Sequence, residues 1–555
     1  MSISYLKLKK IAYFCLLLPA VLFVVGFLKW YIGIPVALLC AVAYYFIIKD
    51  TKKEADIYAD KVLRIKPLHF IILVGIVTLW CYLSGLGNLY YQSDDWFARN
   101  AIFRDLIRED WPVIYNFKDA ALVYYIGYWL PPALVGKIIY NFTNLSIAWT
   151  VGNIVLWLWS VICVTVVILM TMVFLNANTK KRFWTALAIF IGFSGLDIVG
   201  TLFMRIFNGV AIPNHIEWWT TLQYSSMVTV LGWVFNQAIF SWMATICFLS
   251  EKKTRNYAFI ICCALSSSPM PCVGLAIYMV VSACVMLWRA IKEKRVKEFW
   301  LDVFTVQNIV PVLTLLPIYF FYYKSNVAVN LGSGSGGGAP MPRDLYAIIL
   351  LSILAACFAA AGLWLRRKNM PWQSRKLFVL SAIAAALAVL AVLDPGVRLN
   401  YLAFILLESI VFLVVIWDDH KTDPVFYASW ALTLICPLIT VGTAADFCMR
   451  ASIPLVFVLM VMSTKYLLDN AETIKQKGAS YRKVTSIILI ALLVIGVFTA
   501  YKEFERGVVE IIRHKQIALV NDWVGTFSKI FPSGLDKNFI AASYEDTFFF
   551  RYLAK

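Results

Sequence analysis

Apolar runs of roughly 17–25 residues recur along the whole chain, and a run of that length matches the ~30 Å hydrocarbon core of a bilayer. In lipid each backbone N–H and C=O must be satisfied within its own segment, so every such run reads as a helix. Candidate spans lie near 11–28, 31–48, 68–88, 146–174, 182–203, 226–249, 301–322, 344–365, 376–393, 399–417, 424–442, 450–468 and 484–501. A broken pair, near 257–268 and 272–289, is interrupted by Ser266-Ser-Ser-Pro269-Met-Pro271, which ends one helix and starts the next. The expected fold is an all-α polytopic membrane protein, a bundle of about 15 transmembrane helices. With 61% hydrophobic and 15% charged residues, an ordinary soluble enzyme core is excluded.

Basic residues set the orientation. Alternating the spans from a cytoplasmic N-terminus gathers Lys7, Lys9 and Lys10, the stretch Lys49 to Lys66, Lys180-Lys-Arg182, Lys252-Lys-Thr-Arg255, Arg289 to Lys297, Arg366-Arg-Lys368 and Lys475 to Lys483 on the inner side. This requires that Ala121 to Tyr140, rich in Tyr with a Pro-Pro step, lie outside as a juxtamembrane helix and not cross. Most of the net charge of +18 then sits in short inner loops facing anionic lipid, so nucleic acid is not the expected partner. The first run has no small-residue cleavage site and reads as a retained span, pointing to a bacterial inner membrane. None of the 12 cysteines has zinc-like or redox spacing, and no Walker-type or dinucleotide glycine loop is present.

Four segments follow. Residues 1–67 hold two spans and an inner loop; 68–322 form the main transmembrane module with an outer acidic loop at 89–145; 323–500 carry the later spans; 501–555 form a short outer-side segment. The glycine-rich tract 331–340 lies in an outward loop, suited to a mobile cover or a plain connector.

Within the outer loop, Gln92 to Trp111 concentrates carboxylates in a chain that otherwise keeps them out of its apolar stretches. Ser93 is placed to cap a helix beginning at Asp94, with Asp94 and Asp95 in its first turn and Ile102, Phe103, Leu106 and Ile107 facing the membrane surface. One aspartate there can act as a general base toward a hydroxyl; the competing reading is capping plus an Asp95–Arg99 pair. Arg398 and Arg450 each follow an aspartate by four residues at an outward helix end, and a guanidinium there can hold a phosphate in two-pronged fashion. His215 and Glu217 sit in an outer loop near Arg205, beside Trp218 and Trp219, as substrate contacts or parts of an interfacial belt. His-x-Glu alone supplies no metal ligand set. Glu408, in mid-span, is either a functional acid or partnered by a neighbouring helix.

The order of span, acidic outer loop, Tyr-rich juxtamembrane helix and long span resembles the start of the GT-C superfamily of integral-membrane glycosyltransferases, especially the branch of protein mannosyltransferases and lipid A aminoarabinose transferases. Leu122-Val-Tyr124-Tyr125-Ile-Gly-Tyr-Trp is similar to their Pro-Leu-Tyr-Tyr helix, and Arg450-Ala-Ser-Ile-Pro454 to their late Arg-Tyr-Leu-Leu-Pro helix start. The chain departs from that pattern in two extra leading spans and in Leu122-Val123 where the family has Pro-Leu. The resemblance implies transfer of a sugar from a polyprenyl-phosphate donor to a glycan, lipid or protein acceptor on the outer face, by inverting single displacement. It gives Asp94 or Asp95 as base, Arg450 and Arg398 on the donor phosphate, and Trp96, Tyr124, Tyr125, His215 and Glu217 as candidate substrate contacts. It leaves dependence on a divalent metal, Mg or Mn, open. The alternatives are a lipid-linked polysaccharide polymerase or ligase, and a lipid-linked glycan transporter or flippase.

Overall fold

The computed structural model describes residues 1–53, 58, 61–93, 95–330, 345–393, 399–439, 441, 446–475, 480–515 and 535–555. Asp94, Arg398 and the tract 331–340 lie outside the described residues. The protein is an all-α polytopic integral membrane protein. Ten described helices are long and apolar enough to cross a bilayer, and the Lys180–Gly192 and Asp197–Ile206 pair, bent by 42°, makes an eleventh if it is one span. The other expected spans are shorter: Pro67–Leu83 and Ile453–Asp469 have 17 residues each, Pro424–Leu438 fifteen and Tyr257–Ala264 eight. Seventeen residues rise only ~26 Å, which accounts for the difference from about 15.

The chain forms two compact units. One comprises Met1–Ala188, Val228–Ser333 and Phe504–Lys555, the other Ile189–Met227 and Gly334–Glu503. The units therefore interleave in sequence, and neither coincides with the consecutive segments expected.

In the first unit, strand β1 (Ser2–Ser4) pairs antiparallel with β2 (Val62–Arg64), closing the loop after the second span. Next to it Lys9, only 1% exposed, ion-pairs with Glu251 at 2.8 Å, and the Tyr13 hydroxyl donates to the same carboxylate at 2.6 Å. Elsewhere in this unit, β3 (Ile114–Tyr115), β4 (Ala120–Leu122) and β5 (Ile540–Ala542) make a three-stranded antiparallel sheet. Ala541 lies opposite Ala121, where two small residues let the strands approach without side-chain conflict. A further bridge joins Leu28 to Ala554, and Phe549 packs on Phe23 and Tyr322. The last residues are thus built onto the acidic loop and the first helix.

The outer helix begins at Trp96, not Asp94. It runs Trp96–Arg108 with Asp95 at its N-cap position, and no side chain caps it. The Asp95 carboxylate is turned toward Arg99 instead, which leaves the capping role unfilled. Ile102, Phe103, Leu106 and Ile107 are at most 1% exposed. They pack inside the protein and not on the membrane surface, with Ile107 filling the space that a side chain at Gly136 or Gly152 would need. Ala121 to Tyr140 is no span: it starts as β4, turns at Gly127 and continues as the 13-residue helix Leu130–Phe142. Gly127 N–H donates to Ser266 O at 2.9 Å, and a Cβ on Gly127 would lie 2.4 Å from Ser266 Oγ, so only glycine fits. Ser266 belongs to the expected break: one helix ends at Ala264 and the next starts on Pro269, where the missing N–H costs nothing.

Candidate functional site

The first unit holds the acidic loop. Gly85 (φ +82°) and Gly87 (φ +90°) turn the chain out of the Pro67–Leu83 helix in a conformation that side chains disfavour. Gln92 then ties the loop down: its Nε2 donates to Gly85 O at 2.8 Å, and its Oε1 accepts from Asn100 Nδ2 at 2.7 Å. Both residues are buried. Arg99 Nη2 donates to Asp95 Oδ2 at 2.8 Å, the i,i+4 pair expected, with the arginine side chain 5% exposed and the aspartate 49%. The buried guanidinium thus fixes a carboxylate that is half open to solvent.

In the same unit, the Arg506 guanidinium lies 4.7 Å from the Trp233 ring centre and 5.8 Å from that of Tyr91. Gly507, on the next residue, packs against Tyr90. Arg506 reaches the loop because the Tyr481–His514 helix continues 34 residues, well past the membrane-length stretch. Sequence reasoning missed it; the signal was Glu503-Phe-Glu505-Arg506, polar residues on an unbroken helical continuation.

Trp96 is 1% exposed, donates through its indole N–H to Gly232 O at 2.8 Å, and stacks on Phe235. Tyr124 stacks on Tyr125 at 4.3 Å and is buried; its backbone N–H and C=O both bond the Tyr322 hydroxyl, whereas Tyr125 is half-buried. Of these three, Tyr125 alone presents a partly open ring. Asp105 is buried and accepts from the Tyr115 hydroxyl at 2.9 Å. Burial pushes its carboxyl up to about 6 against the opposing pull of that hydrogen bond. On the Met227–Ser250 helix, Gln237 is fully buried with neither amide atom hydrogen-bonded to a protein group, and Ser241, one turn on, has a hydroxyl in the same state. Such groups call for water or ligand hydroxyls.

In the second unit, His215 and Glu217 form the centre of a buried network, 2% and 1% exposed. His215 Nδ1 meets Glu503 Oε1 at 2.6 Å and Nε2 lies 3.5 Å from Glu217 Oε2. Glu217 also accepts from Gln223 Nε2 at 2.7 Å and from the Ser226 N–H at 2.9 Å. Burial acts to lower the His215 pKa, but the hydrogen bonds and charges of Glu217 and Glu503 override it and raise it to about 9. The imidazolium is therefore the clasp of this loop. Arg205, the neighbour expected from sequence, stands exposed on its helix. Arg450 pairs with Asp446 at 3.2 Å, as the i,i+4 spacing requires. Cys448, on the same short helix, contacts Gln223 O through its thiol at 3.5 Å.

Deeper in this unit the Ser194 and Thr499 hydroxyls each donate to Asp197 Oδ2 at 2.9 Å, at the bend between the two short helices. Glu408 sits on a π-helical turn, Leu406–Ile410, 3% exposed, with the Asp197 carboxyl and the Trp219 side chain as its polar neighbours. Its Oε2 occupies the space beside Gly195, where a Cβ would come within 1.7 Å. Among the described residues no cluster of three or more His, Cys, Asp or Glu side chains could hold a metal ion. No protein family, curated protein or solved structure matches the chain.

Proposed function

We propose that this protein is a glycosyltransferase that moves a sugar from a polyprenyl-phosphate-linked donor to an acceptor at the outer face of a bacterial inner membrane. The observation that carries the reading is the outer loop of the first unit. There the Asp95 carboxylate stands at the start of a short helix, held by Arg99, while the Arg506 guanidinium lies over two aromatic rings in the same unit. A base and a cation flanked by aromatic faces are what displacement of a lipid phosphate by a hydroxyl needs.

Because Arg99 occupies Asp95, Asp94 is the base. Its carboxylate takes the proton of the acceptor hydroxyl as the oxygen bonds to the anomeric carbon. The bond from that carbon to the phosphate oxygen breaks, its electron pair leaves on the phosphate, and the anomeric centre inverts. Arg506 joins Arg450 and Arg398 as a candidate for the phosphate, and of the three it shares a unit with the acidic loop. The membrane presents the donor headgroup at one depth, which lowers the entropic cost of alignment.

The test is release of polyprenyl phosphate from a panel of polyprenyl-phosphate sugars by the purified protein, read by mass spectrometry. Asp94→Asn should lower release by about two to four orders of magnitude with donor binding intact. Arg506→Ala should lose donor binding, and Arg506→Lys should recover part of it. Full-rate release by Asp94→Asn and Asp95→Asn alike would overturn the assignment.

Glu408 favours a second reading, a transporter of lipid-linked glycans. Two buried carboxyls facing each other, Glu408 on a π-turn in a span and Asp197 at a helix bend, suit an ion-coupled path. Glu408→Gln should abolish flipping while leaving sugar release unchanged if that reading holds.

A further inference from the structure

Within the second unit, the helices Leu345–Arg367, Pro371–Leu393, Val411–His420 and Pro424–Ile435 enclose a groove of about 560 Å³ that is almost wholly apolar. Its two cations, Arg375 and Lys376, stand together at one end with Trp372 and Trp417, and Leu387 marks the other. Twelve residues of helix separate Arg375 from Leu387, so the groove runs ~18 Å, close to the depth of one leaflet of a ~30 Å core.

The charges at the polar end do not cancel. Lys376 pairs with Asp418 and lies 5.5 Å from the Trp372 ring centre and 5.6 Å from that of Trp417. Arg375 is exposed and makes no ion pair among the described residues. One surplus positive charge therefore stands at the mouth of a leaflet-deep apolar groove, between two interfacial tryptophans. We propose that this groove is a specific site for an anionic phospholipid, one acyl chain lying along Val379, Ile383 and Leu387 and the headgroup phosphate on Arg375. Two N–H groups of a guanidinium match two phosphate oxygens, whereas a zwitterionic headgroup brings its own cation to the same place. On the orientation read from the sequence, Arg366-Arg-Lys368 puts this end in the cytoplasmic leaflet, the side opposite the acidic loop. The site is independent of the transferase reading.

The test uses the full-length protein in mild detergent with phosphatidylglycerol or phosphatidylcholine of identical chains, counting retained lipids by native mass spectrometry. A basic residue near a membrane surface contributes ~1 kcal/mol, about a five-fold preference. Wild type should retain phosphatidylglycerol about five-fold over phosphatidylcholine. Arg375→Ala should bring that ratio to about one. Ile383→Trp, at a position 51% exposed along the groove, should displace both lipids without disturbing the interior. An unchanged ratio in Arg375→Ala overturns the headgroup assignment. If Ile383→Trp keeps the wild-type lipid count, the lipid lies elsewhere and the groove assignment fails.

Discussion

The His215 network makes a pH dependence that can be worked out in advance. A folded-state pKa of about 9 against 6.5 in the unfolded chain is worth about 3 kcal/mol, at ~1.36 kcal/mol per pH unit. Because the folded value is the higher one, this stabilisation is complete below about pH 6.5 and disappears as pH rises through about 9. Integrating the two titrations, about 2 kcal/mol is lost between pH 7 and pH 9. For a unit of roughly 150–250 residues that is an apparent melting shift of about 4–8 °C. The assay is thermal unfolding in detergent at a fixed scan rate, since such proteins commonly unfold irreversibly. His215→Gln removes the titrating group: it should melt lower than wild type at pH 7, and the gap should narrow by pH 9.5. Glu217→Gln and Glu503→Gln should each shift the wild-type transition to lower pH, because each removes one of the two carboxylates that raise it. Parallel profiles for wild type and His215→Gln between pH 7 and pH 9.5 would refute the reasoning.

Asp105 gives the opposite sign, since burial raises an acid and penalises its charged form. Asp105→Asn keeps an acceptor for Tyr115 and should raise the apparent Tm at pH 8, with the gain shrinking as pH falls from 6 toward 4. Glu251→Ala leaves Lys9 buried beside an empty site and should cost about 3–5 kcal/mol, read as lost yield of folded protein on size exclusion. Gly127→Ala forces a Cβ into Ser266 and should cost about 1–3 kcal/mol, measured as a lower melting temperature. For topology, Lys118→Cys should react with an impermeant maleimide from outside and Lys294→Cys only after the membrane is opened; the reverse pattern would invert the proposed outer face.

What the sequence made legible was whatever is decided over a short distance along the chain. Apolar length places the spans, because the bilayer imposes a length and a helix has a fixed rise. The proline-bounded break at Ser266–Pro271 and the pairs Asp95–Arg99 and Asp446–Arg450 follow from helical spacing alone. The start of the Trp96–Arg108 helix was misplaced by two residues because the reading relied on a Ser93 cap, whereas no side chain caps this helix and the Asp95 carboxylate is held by Arg99. The face formed by Ile102, Phe103, Leu106 and Ile107 was legible as apolar, but periodicity says only that a face is covered. Whether lipid or protein covers it depended on Gly136 and Gly152, 29 and more residues further on, leaving room for Ile107.

The long-range contacts lie at the far end of that scale. His215 meets Glu503 across 288 residues, and β4 meets β5 through three-residue strands too short to show a period of two. Arg506 is the sharpest case. By composition it belongs to a polar tail, yet the same helical continuity that carries it beyond the membrane brings it to Tyr91 and Trp233 at the acidic loop. A membrane protein resolves apolar surface early, through length, and leaves its few outer charges to be paired by tertiary contacts. The charges that sequence spacing pairs, such as Asp446 with Arg450, are the ones whose partners are local. Those brought together over hundreds of residues, such as Arg506 with Tyr91, have no local reason to meet.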